Sequence, residues 1–269
     1  MTAQTAPAGL TLDRVGKTYD GVAVLAPTSL SIARGQFVAL VGGSGAGKTT
    51  LLKTLNALIV PTTGRVLIDG VDVAAQPGPA LRRRIGYVFQ EVGLFPHMSV
   101  AQNIGITPRL LDWPAERIAA RVATLLDLVD LPREVATRLP SELSGGQRQR
   151  VGVARALAAE PSILLMDEPF GALDPITRVA LAQDVRRLHE ALNLTTVMVT
   201  HDVGEALLTA DRIVVMAGGA QGGQIIADDT PAALLAATHA DPRVAALIDA
   251  PRRQAEKLAA LSLGGAAHG

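Results

Sequence analysis

Cysteine is absent from the 269 residues, which excludes thiol catalysis, iron–sulfur clusters and disulfide stapling. Aromatic residues make up only 3% of a chain that is 48% hydrophobic, so aliphatic side chains and alanine must fill the interior. Net charge is missing too: 25 Lys and Arg balance 25 Asp and Glu, whereas dedicated nucleic-acid binders carry a basic excess. No run approaches the ~20 apolar residues that a membrane-spanning helix needs. Met1 to Gly9 lacks the charged-then-apolar pattern of a signal peptide. Any membrane role is therefore expected through a partner.

Short apolar runs alternate with helical patterns, the signature of an α/β domain with a largely parallel sheet. Phe37 to Val41 reads as a buried strand running into Gly42 to Gly47, with helical Leu51, Leu52 and Leu55 behind it. Further strands are expected at Arg65–Ile68, Ile85–Phe89, Ile163–Met166 and Thr195–Thr200. From Ser99 to about Leu131 the period is helical: Ile118, Val122, Leu125, Leu126 and Val129 fall on one face. Pro108, Pro114 and Pro132 divide this stretch into a lobe of short helices. Leu181, Val185, Leu188 and Leu192 predict another helix with one buried face, and Thr230-Pro231 predicts the cap and first turn of a last short one. Arg82-Arg83-Arg84 reads as a solvated strand edge.

Gly42-Gly43-Ser44-Gly45-Ala46-Gly47-Lys48-Thr49 fits G-x-x-x-x-G-K-[ST]. Glycines let the backbone wrap so that several N–H groups face a β-phosphate, and the helix behind adds its positive end. Lys48 would neutralise the β- and γ-phosphates, and the Thr49 hydroxyl would bind Mg²⁺. A glycine-rich turn could match by chance, but a strand before and a helix after argue against that. Asp167 and Glu168 end a second buried strand. Uncompensated carboxylates beside a polyphosphate are costly. A divalent metal resolves the conflict: Asp167 can hold Mg²⁺ through water while Glu168 polarises the attacking water. Two solvated loop carboxylates are the alternative. His201 ends the last core strand. It is either structural or placed to donate to the γ-phosphate and sense its loss.

Leu143-Ser144-Gly145-Gly146-Gln147 precedes a helix expected from Arg148 to about Ala159. Unless this is an ordinary glycine-containing cap, it is a second anion-binding surface. One chain does not need two such surfaces for one γ-phosphate. Two chains facing head to tail do, each closing over the partner's nucleotide.

In this order the segments resemble the ABC-type ATPases, over about Leu10 to Leu235. The resemblance implies a P-loop NTPase (RecA-like) α/β core with an antiparallel β subdomain and an inserted α-helical subdomain at about 91–150, within an ATPase domain spanning 1–241. Residues 242–269 are expected to be a short helical or frayed tail, without the pair of regulatory cystathionine-synthase-like modules that many osmoprotectant ATPases carry. By resemblance Tyr19 stacks on adenine, a core aromatic being the alternative. By the same resemblance Gln90 would contact Mg²⁺ and the transmembrane partner. Asp174, in Gly171-Ala172-Leu173-Asp174, would cross the dimer interface, and His201 would be the switch histidine. The implied nucleotide site is Tyr19 with Gly42, Gly43, Ser44, Gly45, Ala46, Gly47, Lys48, Thr49 and Thr50. Thr49, Gln90 and Asp167 would hold Mg²⁺, Glu168 and His201 would be catalytic, and Leu143, Ser144, Gly145, Gly146 and Gln147 would act in trans.

Within the family, Gln90 to Val100, Leu110-Leu111-Asp112-Trp113-Pro114 and Met166 to Arg178 resemble bacterial importers of glycine betaine, choline or carnitine. Gly43 stands where many members have proline, and Gly204 where an acidic residue is common; neither removes a catalytic group. The implied assembly is a homodimer or pseudo-dimer of ATPase subunits with ATP and Mg²⁺. It would sit on two transmembrane permease subunits at the cytoplasmic face of the inner or plasma membrane, served by a periplasmic or lipid-anchored solute-binding protein, without nucleic acid. An importer of amino acids, methionine or polyamines is the nearest alternative. An ABC ATPase acting on DNA would usually carry long coiled coils or zinc modules, and neither sustained heptads nor cysteines occur. A small-molecule kinase would leave Leu143 to Gln147 without a role.

Overall fold

The computed structural model describes residues 8–249. Strands β1 (Ala8–Tyr19) and β2 (Val22–Ala33) form a long hairpin around Asp20-Gly21, where both residues adopt positive φ. They are followed by β3 (Phe37–Val41), helix α1 (Lys48–Leu55), β4 (Thr63–Ile68) and the short β5 (Val71–Asp72). Strands β1, β2, β4 and β5 make an antiparallel sheet in the order β2-β1-β4-β5. In β2, Thr28, Leu30 and Ile32 point inward while Ser29 and Ser31 are exposed, the alternation of a sheet with one wet face.

Helix α2 (Gly78–Arg83) leads into β6 (Ile85–Val88). The chain then forms α3 (Val100–Ile104), α4 (Ile106–Leu110) and α5 (Ala115–Leu128) before α6 (Gly145–Leu157) returns it to β7 (Ile163–Asp167). Helix α7 (Pro175–Leu192), β8 (Thr195–Thr200), α8 (Val203–Thr209), β9 (Arg212–Ala217), β10 (Gln224–Asp229) and α9 (Pro231–Ala236) follow, and residues 242–249 are again helical. The second sheet has the order β10-β9-β3-β8-β7-β6, parallel except for β10.

Every residue of β3, β7 and β8 is buried, because this sheet is covered on both faces. Alternation along β3 divides the interior: Phe37, Ala39 and Val41 join a core with α5, α6 and α7, while Val38 and Leu40 join one with α1 and the hairpin sheet. Val122, Leu125, Leu126 and Val129 bury the expected face of the α5 region, with Ile118 packed at its margin. No helix among the described residues is long and apolar enough to cross a membrane.

Some expectations are corrected. Arg82 and Arg83 occupy the last turn of α2 and Arg84 caps it, so the triplet ends a helix, where cations suit the negative dipole end, and is not a strand edge. Leu192 is 36% exposed while Leu181, Val185 and Leu188 are buried, because the helix end overshoots the core. The tail expected beyond Asp241 is helical at 242–249, with Val244 and Ile248 buried; its remainder lies outside the described residues, as does most of Met1 to Gly9.

Leu125 has no exposed surface and belongs to the helix-side core. Leu125→Ala should cost about 2–5 kcal/mol, read as a lowered urea midpoint at unchanged m-value.

Candidate functional site

Strands β3, β7 and β8 run parallel, so their C-terminal ends meet at one edge: Val41 pairs with Thr200, and Asp167 with Val199. The chain leaves β3 at Gly42, where an added Cβ would lie 2.0 Å from the Met216 carbonyl. It then curls through Ser44, Gly45 and Ala46 to Gly47, whose φ of 81° starts α1. From behind, Gly223 leaves no room: a Cβ there would stand 2.0 Å from the Ala46 oxygen. Val24, Ser44 to Thr50 and Glu168 enclose a cleft of about 210 Å³. First-turn N–H groups of α1 have no intrahelical partner and make its mouth attractive to anions.

Lys48 is buried and lies across its own loop, donating to the Gly42 carbonyl at 2.8 Å and the Gly43 carbonyl at 2.9 Å. Burial lowers its ammonium pKa, against the pull of Glu168 and then Asp167. Asp167, also buried, accepts from the Thr49 hydroxyl at 2.8 Å and from the Tyr87 phenol at 3.3 Å, with Lys53 Nζ 3.9 Å away. Burial, followed by the Asp167 charge and hydrogen bond, holds the Tyr87 phenol above its ordinary range, so it stays a donor. Neither Tyr87 nor Lys53 was expected in the site; their neighbours in sequence carry no motif, and only the sheet and α1 bring them to Asp167.

Glu168 leaves the strand with φ at 46°, a left-handed backbone, and its N–H donates to the Val199 carbonyl at 2.9 Å. Its Oε2 accepts from Gln90 Nε2 at 3.2 Å and lies 3.2 Å from His201 Nδ1. One carboxylate oxygen is thus shared by side chains from the ends of β6 and β8.

Other expected site residues stand apart from this cleft within the chain. Tyr19 is 44% exposed and does not line it; Lys17 Nζ sits 4.7 Å from its ring centroid. None of Leu143 to Gln147 lines it either. There Leu143 is buried, the Ser144 hydroxyl accepts from the Gln147 N–H, and the Gln147 side chain accepts from the Ser144 N–H, a closed capping box that starts α6 at Gly145. Asp174 caps α7, accepting from the N–H groups of Ile176 and Thr177; hydrogen bonds from Thr177 come first among the causes that lower its carboxyl pKa.

A larger cavity of about 770 Å³ opens beside Gln90, between α1, β6 and α4, edged by exposed Phe89, Phe95 and Leu110. Arg155 of α6 reaches under it to donate to the Val92 and Gly93 carbonyls at 2.5 and 2.7 Å. Among the described residues no group of three or more His, Cys, Asp or Glu is placed to cage a metal. The adjacent hydroxyl of Thr49 and carboxylate of Asp167 are hard oxygen donors that fit Mg²⁺, an ion that usually keeps several waters and takes one or two carboxylates plus phosphate oxygens.

Residues 25–171 match the ABC transporter family. The glycine betaine/carnitine/choline transport ATP-binding protein of Bacillus subtilis is 50% identical over 227 residues, 84% of this chain; the chain spans 59% of that relative's length. The glycine betaine uptake system ATP-binding protein of Escherichia coli is 45% identical over 221 residues, covering 82% of this chain and 70% of its own. A bacterial ABC transporter cassette solved as a dimer, in one structure bound to ADP and Pi after hydrolysis, has a TM-score of 0.73 at 32% identity, covering 82% of this chain and 98% of that one.

The cap at Asp174 is a local device that can be measured in the chain alone. Asp174→Ala should lower the urea midpoint at unchanged m-value, and Asp174→Asn, an equally good cap, should restore most of it.

Proposed function

Since the chain belongs to the ABC transporter family, we propose that it is the ATP-binding and ATP-hydrolysing subunit of a solute importer. The observation that carries this reading is the meeting of Glu168, Gln90 and His201 at one carboxylate oxygen beside the phosphate loop. That arrangement places a general base, a polar tether and an imidazole where a γ-phosphate would arrive.

In this reading the α1 N-terminus and the loop Gly42 to Gly47 receive the phosphates, and Lys48 exchanges its loop carbonyls for phosphate oxygens. Glu168 orients water and accepts its proton as the water oxygen attacks the γ-phosphorus and the bond to ADP breaks. His201 donates to the same phosphate and reports its departure. Thr49 and Asp167 would hold Mg²⁺, with Gln90 joining them; the ion neutralises charge building on the phosphate oxygens. Lys48, deep in the cleft, adds a second cation that solvent screens little.

Leu143 to Gln147 lie outside the chain's own cleft and present a helix N-terminus, which suits closure over the nucleotide of a second copy. The reading therefore includes a dimer with a signature in trans and Asp174 near its seam. ATP drives such closure only because it binds the closed state more tightly. The cavity beside Gln90, with its exposed phenyl rings, is the face for two permease subunits. Through them the subunit would work at the membrane's cytoplasmic face, with an external solute-binding protein delivering cargo. The names of its relatives and the stretch from Gln90 to Val100 support quaternary-amine osmoprotectants as that cargo.

Glu168→Gln should bind ATP as wild type does, lose turnover and accumulate as a dimer with ATP on size exclusion; wild-type hydrolysis in that variant would overturn the assignment. Lys48→Ala should lose ATP binding by calorimetry, and unchanged affinity would remove the lysine from the phosphate site.

A further inference from the structure

Arg178 lies one turn into α7, with its side chain half-buried. Its Nη2 donates to the Leu173 carbonyl at 3.1 Å, in the turn that ends at Asp174. Its Nη1 reaches Asp202 Oδ2 at 3.4 Å, and its Nε lies 3.6 Å from Glu205 Oε1. These two carboxylates hold both flanks of His201. Asp202 follows it in sequence, sends its N–H to the Thr200 hydroxyl at 3.0 Å, and caps α8 by accepting from Gly204 and Glu205. Glu205, buried on α8, accepts from the hydroxyl of Thr200, which precedes His201.

We propose that Arg178 is a positioning residue that ties the turn Gly171–Asp174 to the segment Thr200–Asp202, and so sets where His201 stands against Glu168. The proposal rests on the reading of His201 and Glu168 as parts of a hydrolytic site. Its physical basis is the uneven strength of the three contacts. The Leu173 carbonyl is held at an ordinary hydrogen-bond length, while the carboxylates are held loosely, and Nε is buried with no hydrogen-bond partner among the described residues. A few tenths of an ångström of movement at Leu173 would bring the guanidinium into full contact with Glu205 or release it from Asp202. A buried donor left short of its acceptor is a costly arrangement that a small shift relieves. Information about the turn is thereby passed to the imidazole through one rigid planar group.

Without the guanidinium, Asp202 and Glu205 face each other with no cation between them. Burial already pushes the Glu205 carboxyl pKa up, and Asp202 adds to that, against the hydroxyl of Thr200 and the charge of Arg178. Their repulsion would act on the backbone on either side of His201; α8 packs in the helix-side core, whereas α1, which follows the phosphate loop, packs in the other.

The test uses the purified full chain, with ATPase rates measured across ATP concentrations, thermal midpoints, and NMR of the imidazole of His201. Arg178→Ala should lower kcat roughly tenfold, about 1.4 kcal/mol of barrier, with KM within about twofold. Arg178→Lys should recover part of the loss, and the His201 resonances should move in Arg178→Ala while those of His97 stay. Should Arg178→Ala melt below the assay temperature, Arg178→Ala with Glu205→Gln removes the uncompensated charge together with its partner, and a fall in kcat is still expected because the tie to Leu173 stays broken. Wild-type kcat in either form, or unmoved His201 resonances, overturns the proposal. A wild-type chain that fails to hydrolyse ATP sinks the underlying reading instead, so the two failures are distinguishable.

Discussion

The parallel ladder of β3, β8 and β7 fixes everything that happens at the cleft. Its register pairs Val41 with Thr200 and Asp167 with Val199, so the phosphate loop, the acidic pair and the histidine leave the sheet at one level. A slip of one residue in any of the three would send the side chains of one core into the other and separate the groups. Burial on both faces opposes the slip, since every residue of these three strands is buried and neither side of the sheet is open to water. The same sheet keeps two cores apart, one holding the helices that follow β6, the other holding the hairpin sheet.

Electrostatics at the strand ends is arranged around charges that the sheet brings closer than water would allow. Asp167 is occupied on both oxygens, by a hydroxyl and a phenol, and Glu168 shares one oxygen between an amide and an imidazole. Each carboxylate is thereby stabilised while the opposing Lys48 is engaged elsewhere, on carbonyls of its own loop. Side chains that hold one another in this way are preorganised, and an arriving phosphate exchanges partners without having to gather them.

The segments that were legible in the sequence are those whose signal is local. Phe37 to Val41, Ile163 to Asp167 and Thr195 to Thr200 read as buried strands because each is a continuous apolar or β-branched run, and the Gly42 to Thr49 spacing carries its own chemistry. The hairpin of β1 and β2 was not legible. Its residues are mixed, Pro27 interrupts β2, and its register is irregular along much of β1. Arg82 to Arg84 misled because polarity alone does not distinguish a helix end from a strand edge; Pro79 near the start of α2 was the available cue. In the site, the residue types could be named, but not their partners. That Glu168 would share an oxygen between Gln90 and His201, or that Tyr87 and Lys53 would attend Asp167, follows from strand order, which no local pattern encodes.

Gly223 holds no charge, no donor beyond its backbone and no place in any motif, yet it stands directly behind Ala46. Its N–H donates to the Val24 carbonyl and its own carbonyl accepts from Ala26, so it also stitches the hairpin strand β2 to the segment before β10. The seam between the two sheets therefore passes under the phosphate loop as a solid floor one backbone thick. A methyl group at Gly223 would be felt as a change in the loop's curvature, because it would run into the Ala46 carbonyl. Drift at this position is constrained by space alone, so an inventory of chemically active side chains would pass over one of the residues on which the site's shape most depends.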